Sequence, residues 1–327
     1  MKNLIIKPYK SGDEFNFHKL DRKLEIHKYN RRDPSNFIWK YRGKNPSGFG
    51  TNYFAYINDK IIGHFGAVPL KYIVNKKIAK GACSIAMMIE PQWQNKGLIK
   101  FVGDEVFKEL KKKSIKFVYG YPNDRSFDLH LKFWKYLKII DQKNFVLKNN
   151  KKFLISEKIE IIKLKKFDKI YDKLWKKNKN YYDIAVVRDK DYLNWRYIQR
   201  PDHSYYCYSF KLRGVIYGYA VLKYYKFKNK FIGHIIDFFF PNIKEEQMKD
   251  SFKTLINELI KNNVDEISTW CNGSPEILTV LKNIGFKVSG SRPMIMKFLN
   301  ENKNFCTYFT SRNKKWYFTM GDTLEIY

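Results

Sequence analysis

The most suggestive spacing in the chain lies at Met87-Met88-Ile89-Glu90-Pro91-Gln92-Trp93-Gln94-Asn95-Lys96-Gly97-Leu98-Ile99. A hydrophobic run ends at Ile89, a polar turn follows, and a helical pattern begins just past Gly97. The first turn of a helix carries backbone N–H groups with no intrahelical acceptor and lies at the positive end of the helix dipole. Such a turn is a cradle for an anion, a diphosphate above all. Glycine there lets the main chain approach the ligand closely, and Lys96 adds charge. The expected chemistry is capture of a phosphate-bearing cofactor by Gln94, Asn95, Lys96, Gly97, Leu98 and Ile99.

That turn needs a strand before it and a helix after it. Residues 78–89 read as a strand that pairs in a hairpin with the run before it, and Phe101, Val102, Val106, Phe107 and Leu110 recur at helical spacing over 98–112. Upstream, the pattern predicts a strand over 4–9, helices near Glu14 to Tyr29 and Asn36 to Arg42, and strands at 52–57 and 61–68 joined at Asn58-Asp59. Downstream come a strand over 115–121, a helix from Asn123 to about Trp134, and one further strand. Antiparallel strands leading into a strand–helix–strand crossover make a mixed α/β (α+β) sheet, mostly antiparallel and flanked by helices.

The same order recurs. Arg32-Asp33, five residues, then Trp39-Lys40-Tyr41 returns as Arg188-Asp189, five residues, then Trp195-Arg196-Tyr197. At the same offset Ile5-Ile6-Lys7 falls on Ile161-Ile162-Lys163, and Ile61-Ile62-Gly63 falls nearly on Val215 to Gly218. Leu131 to Tyr136 is echoed by Leu281 to Phe286. The reading is one fold duplicated, with domains 1–157 and 158–327 meeting near the polar stretch Asn149 to Lys152. A second polar stretch, Asn300 to Asn304, precedes an aromatic segment from Tyr308 to Tyr327.

A chain of 327 residues with 44% hydrophobic residues can fill two cores. The net charge of +31 is compatible with an anionic partner, but lysine is spread evenly, so nucleic acid is possible and not favoured. Cys83, Cys207, Cys271 and Cys306 are scattered, which argues against disulfides and a metal site. No apolar run approaches a membrane span and no leader pattern opens the chain, so a cytoplasmic protein is expected.

Gln94-Asn95-Lys96-Gly97-Leu98-Ile99 resembles the acetyl-CoA loop of the GNAT N-acetyltransferase superfamily, Q/R-x-x-G-x-G/A, departing from it at Ile99. Tyr119-Gly120-Tyr121-Pro122-Asn123 resembles a strand end common in bacterial members. The resemblance implies two tandem GNAT-like domains and acetyl-CoA as co-substrate, lying between the strand before the loop and the strand after its helix. It implies that the main chain of Met87, Met88 and Ile89 holds the pantetheine, with Asn123 and Ser126 near the thiol; Asn123 fits a helix N-cap equally well. It also implies direct attack by a primary amine of a small molecule, an amino sugar for surface polysaccharide being one candidate. Glu90 and His64 are then the candidate bases, although a solvated carboxylate and a core histidine are the plainer readings. The family's usual tyrosine acid is replaced by Leu131, which leaves Tyr121 and Tyr136 as substitutes, both more naturally structural.

The second domain has no glycine between Asp237 and Glu245, which implies that it has lost cofactor binding and shapes the acceptor cleft. Asp322 is a candidate contact for the substrate amine or a turn aspartate. Two other functions stay open: an aminoacyl-tRNA-dependent peptidyltransferase, which generally lacks such a loop, and a non-catalytic binding protein of the same fold.

Overall fold

The computed structural model describes residues 3–24, 33–148, 151–156, 158–201, 204–272, 275–299, 303–311 and 314–324. Tyr29, Arg32, Asn149, Asn150, Asn300 and Tyr327, all used above, lie outside them. The first half runs β1 (Leu4–Pro8), α1 (Asp13–Lys23), α2 (Pro34–Tyr41), β2 (Thr51–Ile57), β3 (Lys60–Val74), β4 (Lys77–Ile89), α3 (Leu98–Lys112), β5 (Phe117–Gly120), α4 (Asp124–Trp134) and β6 (Leu137–Leu147). The second runs β7 (Glu160–Leu164), α5 (Lys169–Asn178), β8 (Ile184–Val186), α6 (Lys190–Leu193), β9 (Tyr206–Leu212), β10 (Val215–Phe227), β11 (Lys230–Phe239), α7 (Glu245–Ile260), β12 (Glu266–Asn272), α8 (Pro275–Ile284) and β13 (Lys287–Phe298). α9 (Lys303–Thr310) and β14 (Trp316–Thr319) follow.

Local chemistry sets the boundaries. Asn58 and Asp59 both take positive φ, 48° and 59°, the two-residue turn that suits the twist of a hairpin. Asn75 and Lys76 repeat this at 49° and 62°, so β3 runs to Val74 rather than stopping at Val68. Asp33 accepts a hydrogen bond from the Ser35 amide and starts α2 at Pro34. α3 buries Leu98, Ile99, Val102, Val106, Phe107 and Leu110 on one face.

Where two sheets were expected, the described strands share one, in the order β1-β2-β3-β4-β5-β13-β6-β12-β11-β10-β9-β7. Its centre holds an exchange: β6 of the first half pairs with β12, β13 of the second pairs with β5, and β6 and β13 pair with each other. Alternating residues feed two cores. One includes Phe65, Ala82, Val118, Trp134, Tyr136 and Ile295 beneath α3 and α4; the other includes Cys83, Tyr119, Trp270, Met294 and Phe318 on the opposite face. No helix among the described residues is long and apolar enough to cross a membrane.

Candidate functional site

β4 and β5 run parallel and pair only at Gly81 with Phe117, Ala82 with Val118 and Cys83 with Tyr119. Beyond Cys83 they part. On β4 the register against β3 shifts between His64 and Gly66, and Ala86 takes φ 55°, a bulge that turns the strand. On β5 the ladder stops at Gly120, and Pro122 has no N–H to continue it. Ser84 Oγ donates to the Tyr119 carbonyl at 3.1 Å, and a Cβ at position 120 would lie 2.6 Å from Ser84 Oγ, so any larger residue there displaces this hydroxyl. The opening is a cavity of about 250 Å³, walled by Ser84 to Met88 on one strand and by Gly120 to Asn123 on the other.

The turn after β4 sits beside this opening. Glu90's amide bonds to Ile62, a short 3₁₀ turn covers 91–93, and the Gln94 amide is taken by the Pro91 carbonyl at 3.1 Å. Gln94 Nε2 also donates to the Ile89 carbonyl at 2.9 Å, folding the turn back on the strand. Asn95 and Gly97 follow at φ 61° and 70°, and Gly97 caps α3. Among the described residues, no protein group accepts from the amides of Asn95 to Ile99. Gln94, Asn95 and Lys96 are exposed, and the space where a Gly97 side chain would project is open. Lys96 holds its ammonium 4.7 Å from the Trp93 ring centroid. Leu98 and Ile99 turn inward and anchor the helix start, so they offer main chain only. The arrangement is an exposed, positively charged mouth of backbone donors.

The remaining sequence candidates fall in different surroundings. Met87 and Met88 line the cavity, and Ile89 is the end of the strand that carries them. Asn123 and Ser126 line it too, while Asn123 also caps α4 by accepting from the Ser126 amide at 2.9 Å. Glu90 is buried, bonded to Lys23 and, at 3.3 Å, to Lys60, with Gln92 Nε2 at 3.2 Å. Burial pushes its carboxyl upward, but the two lysines outweigh that and hold it below the ordinary value. His64 is fully buried among Phe17, Phe37, Tyr41 and Phe54, with Nδ1 2.7 Å from the Ala86 carbonyl. It does not line the cavity; it ties down the bulge that opens it. Tyr136 is buried against Phe107 and His130, and burial raises its phenol. Tyr121 lines the cavity and donates to Met294 Sδ at 3.4 Å, a weak acceptor that leaves the proton easy to redirect. Burial, then the charge of Asp322, push its phenol well above the usual value.

Two further residues face this cavity that the sequence did not single out. His130, on α4, is 5% exposed and packed by Phe65, Trp134 and Tyr136. Its Nδ1 lies 2.7 Å from the Ser126 carbonyl, which requires the proton on Nδ1 and leaves the Nε2 lone pair to the cavity. Burial lowers its pKa against the pull of that carbonyl, so the ring is neutral near pH 7. Arg292, from β13, reaches the cavity from the second half. A histidine four residues after a serine on a helix was a readable signal for the first; nothing local marks the second.

In the second half, the space beyond the parallel pair of β11 and β12 is taken by β14. β11 and β12 pair in parallel only from Ile232/Glu266 to Ile235/Thr269, and β14 then pairs onto β12 at Cys271 and Asn272. Asp237, fully buried, accepts from Tyr197, Tyr219 and Thr319 at 2.9, 3.1 and 2.9 Å and faces Arg188. Arg188 also holds Asp322 at 2.8 Å, and that carboxylate accepts the Thr319 amide in a capping box. α7 opens with Glu245 and Glu246, which repel an anion.

No protein-family model and no curated protein sequence matches the chain. Its structure is similar to a GCN5-related N-acetyltransferase from Anabaena variabilis, with a TM-score of 0.69 and 15% identity over 90% of this chain and 73% of that one. It is also similar to N-myristoyltransferase from Saccharomyces cerevisiae with bound myristoyl-CoA, with a TM-score of 0.65 and 12% identity over 91% of this chain and 79% of the other. The fold is that of the GNAT superfamily.

Proposed function

We propose that this protein is an N-acyltransferase that moves an acetyl group from acetyl-CoA to a primary amine of a small molecule, an amino sugar for surface polysaccharide being one candidate. In this reading it is built from two tandem GNAT-like units, residues 1–157 holding the coenzyme and 158–327 closing the acceptor side. The observation that carries it is the run of unpartnered amides from Asn95 to Ile99 at the mouth of α3, beside the parting of β4 and β5. Those amides, with Lys96, suit a diphosphate, and the unladdered edge of Met87 to Ile89 suits an extended pantetheine. Two similar folds are an N-acetyltransferase and an N-myristoyltransferase with its acyl-CoA bound. A cavity of about 250 Å³ favours a short acyl group over a long chain.

Within the cavity the amine nitrogen attacks the thioester carbon, the C–N bond forms and the C–S bond breaks. The proton that the amine sheds goes to His130 Nε2, and the imidazolium returns it to the departing sulfur. A lowered pKa suits this role, because the neutral ring accepts from the tetrahedral adduct and its conjugate acid readily gives the proton to a thiolate. Tyr121, whose proton is held tightly, serves as a fixed donor to the oxyanion rather than as an acid. Glu90, ion-paired, secures the turn, and Tyr136 supports His130.

The test is calorimetry with acetyl-CoA followed by a thiol-release assay over a panel of amines. Micromolar binding and amine-dependent release of CoA are expected; no binding at millimolar acetyl-CoA would overturn the reading.

A further inference from the structure

The cavity crosses the sheet. On one side its wall is His130, set among Phe65, Trp134 and Tyr136 of the core beneath α3 and α4. On the other lie Tyr121 and Arg292, beside Met294 and Trp270 of the opposite core. The amide mouth belongs to α3, so a coenzyme gripped there enters from the first side and leaves the second to the acceptor. Of the side chains lining the cavity, Arg292 bears the charge.

We propose that the acceptor carries an anionic group, a carboxylate or a phosphate, close to its amine, and that Arg292 selects it. This rests on the acyl-transfer reading above. Arg292 enters no ion pair among the described residues, and its guanidinium carbon lies 5.7 Å from the centroid of the buried Trp270 ring. A guanidinium against an indole is held in orientation, while the edge of its fork keeps donors for a bidentate anion. Arg188 shows the contrast, since it is fully buried and spent on Asp237 and Asp322. The excess of lysine over the chain draws anions to the whole surface without choosing among them. An exposed fork at the cavity's edge, contributed by a strand of the second half, does choose.

Thioether analogues of CoA test this without knowledge of the acceptor. S-carboxyalkyl-CoA places a carboxylate beyond the sulfur, and the S-carbamoylalkyl analogue is its neutral match; a graded series of methylene spacers covers the reach. Calorimetry with wild type should favour the carboxylate by about tenfold at the best spacer length, the scale of a charged hydrogen bond. Arg292→Gln should abolish the preference while binding CoA as wild type does, and Arg292→Lys should keep part of it. Equal binding of the two analogues at every spacer, or a preference that survives in Arg292→Gln, overturns the inference and leaves coenzyme binding standing. Failure of wild type to bind CoA or any analogue overturns both.

Discussion

Trp39 and Trp195 stack with ring centroids 5.0 Å apart and planes 18° apart, and each indole N–H is directed at the other's backbone carbonyl, at 2.9 and 3.4 Å. These are the residues that the internal repeat aligns. The two halves of the chain also meet where β6 pairs with β13. Arg200 stands 4.9 Å from the Trp39 ring centroid. Trp39→Ala or Trp195→Ala should each cost about 3–5 kcal/mol in urea unfolding. The double variant should fall short of the sum, because either single change already breaks the stack. Additive costs would contradict the pairing.

Gly97 is held at φ 70° in open space, so a side chain there meets strain rather than a clash. Gly97→Val should cost about 1–2 kcal/mol of stability. Its larger effect should be on the amides it carries, with acetyl-CoA affinity falling at least about tenfold by calorimetry. Unchanged affinity would remove position 97 from the coenzyme site.

His130→Gln should lower kcat by roughly 10²–10⁴ while leaving acetyl-CoA affinity nearly unchanged. The wild-type arm of kcat against pH that belongs to His130 should fall below the ordinary imidazole value, since burial lowers its pKa, and it should vanish in the variant. A variant that loses coenzyme affinity and rate together, with the pH profile intact, would mark His130 as packing only.

His234 is buried against Ser268, and burial with the nearby Lys223 charge pushes it down to about 3. Between that value and the unfolded imidazole pKa near 6.5, the unfolded chain binds the extra proton and the native state does not, so stability rises with pH. Unfolding free energy should therefore drop by roughly 3 kcal/mol from pH 6.5 to pH 4 on account of this residue. His234→Gln should flatten that part of the curve; an equally steep curve would exclude His234 as the cause.

What could be read in advance was what depends on neighbours in sequence. Residues 98–112 are a helix because six apolar residues share one face, and Asn58-Asp59 is a hairpin turn because those residues tolerate positive φ. Gly97 and the turn around it were legible for the same reason. The crossing of β6 and β13 was not, because an alternating strand carries no mark of which neighbour it pairs with. Glu90 read as a solvated carboxylate or base until Lys23 and Lys60 arrived from other elements, and His64 gave no sign of its four aromatic neighbours. Arg292 reaches the cavity only through strand exchange.

The most direct measurement follows the backbone amides themselves. In a ¹H–¹⁵N spectrum of the full chain titrated with CoA, the resonances of Asn95, Lys96, Gly97, Leu98 and Ile99 should shift most, joined by Met87 to Ile89. CoA that binds while those amides stay still, or that does not bind at millimolar concentration, would contradict the assignment of this turn as the coenzyme's anchor.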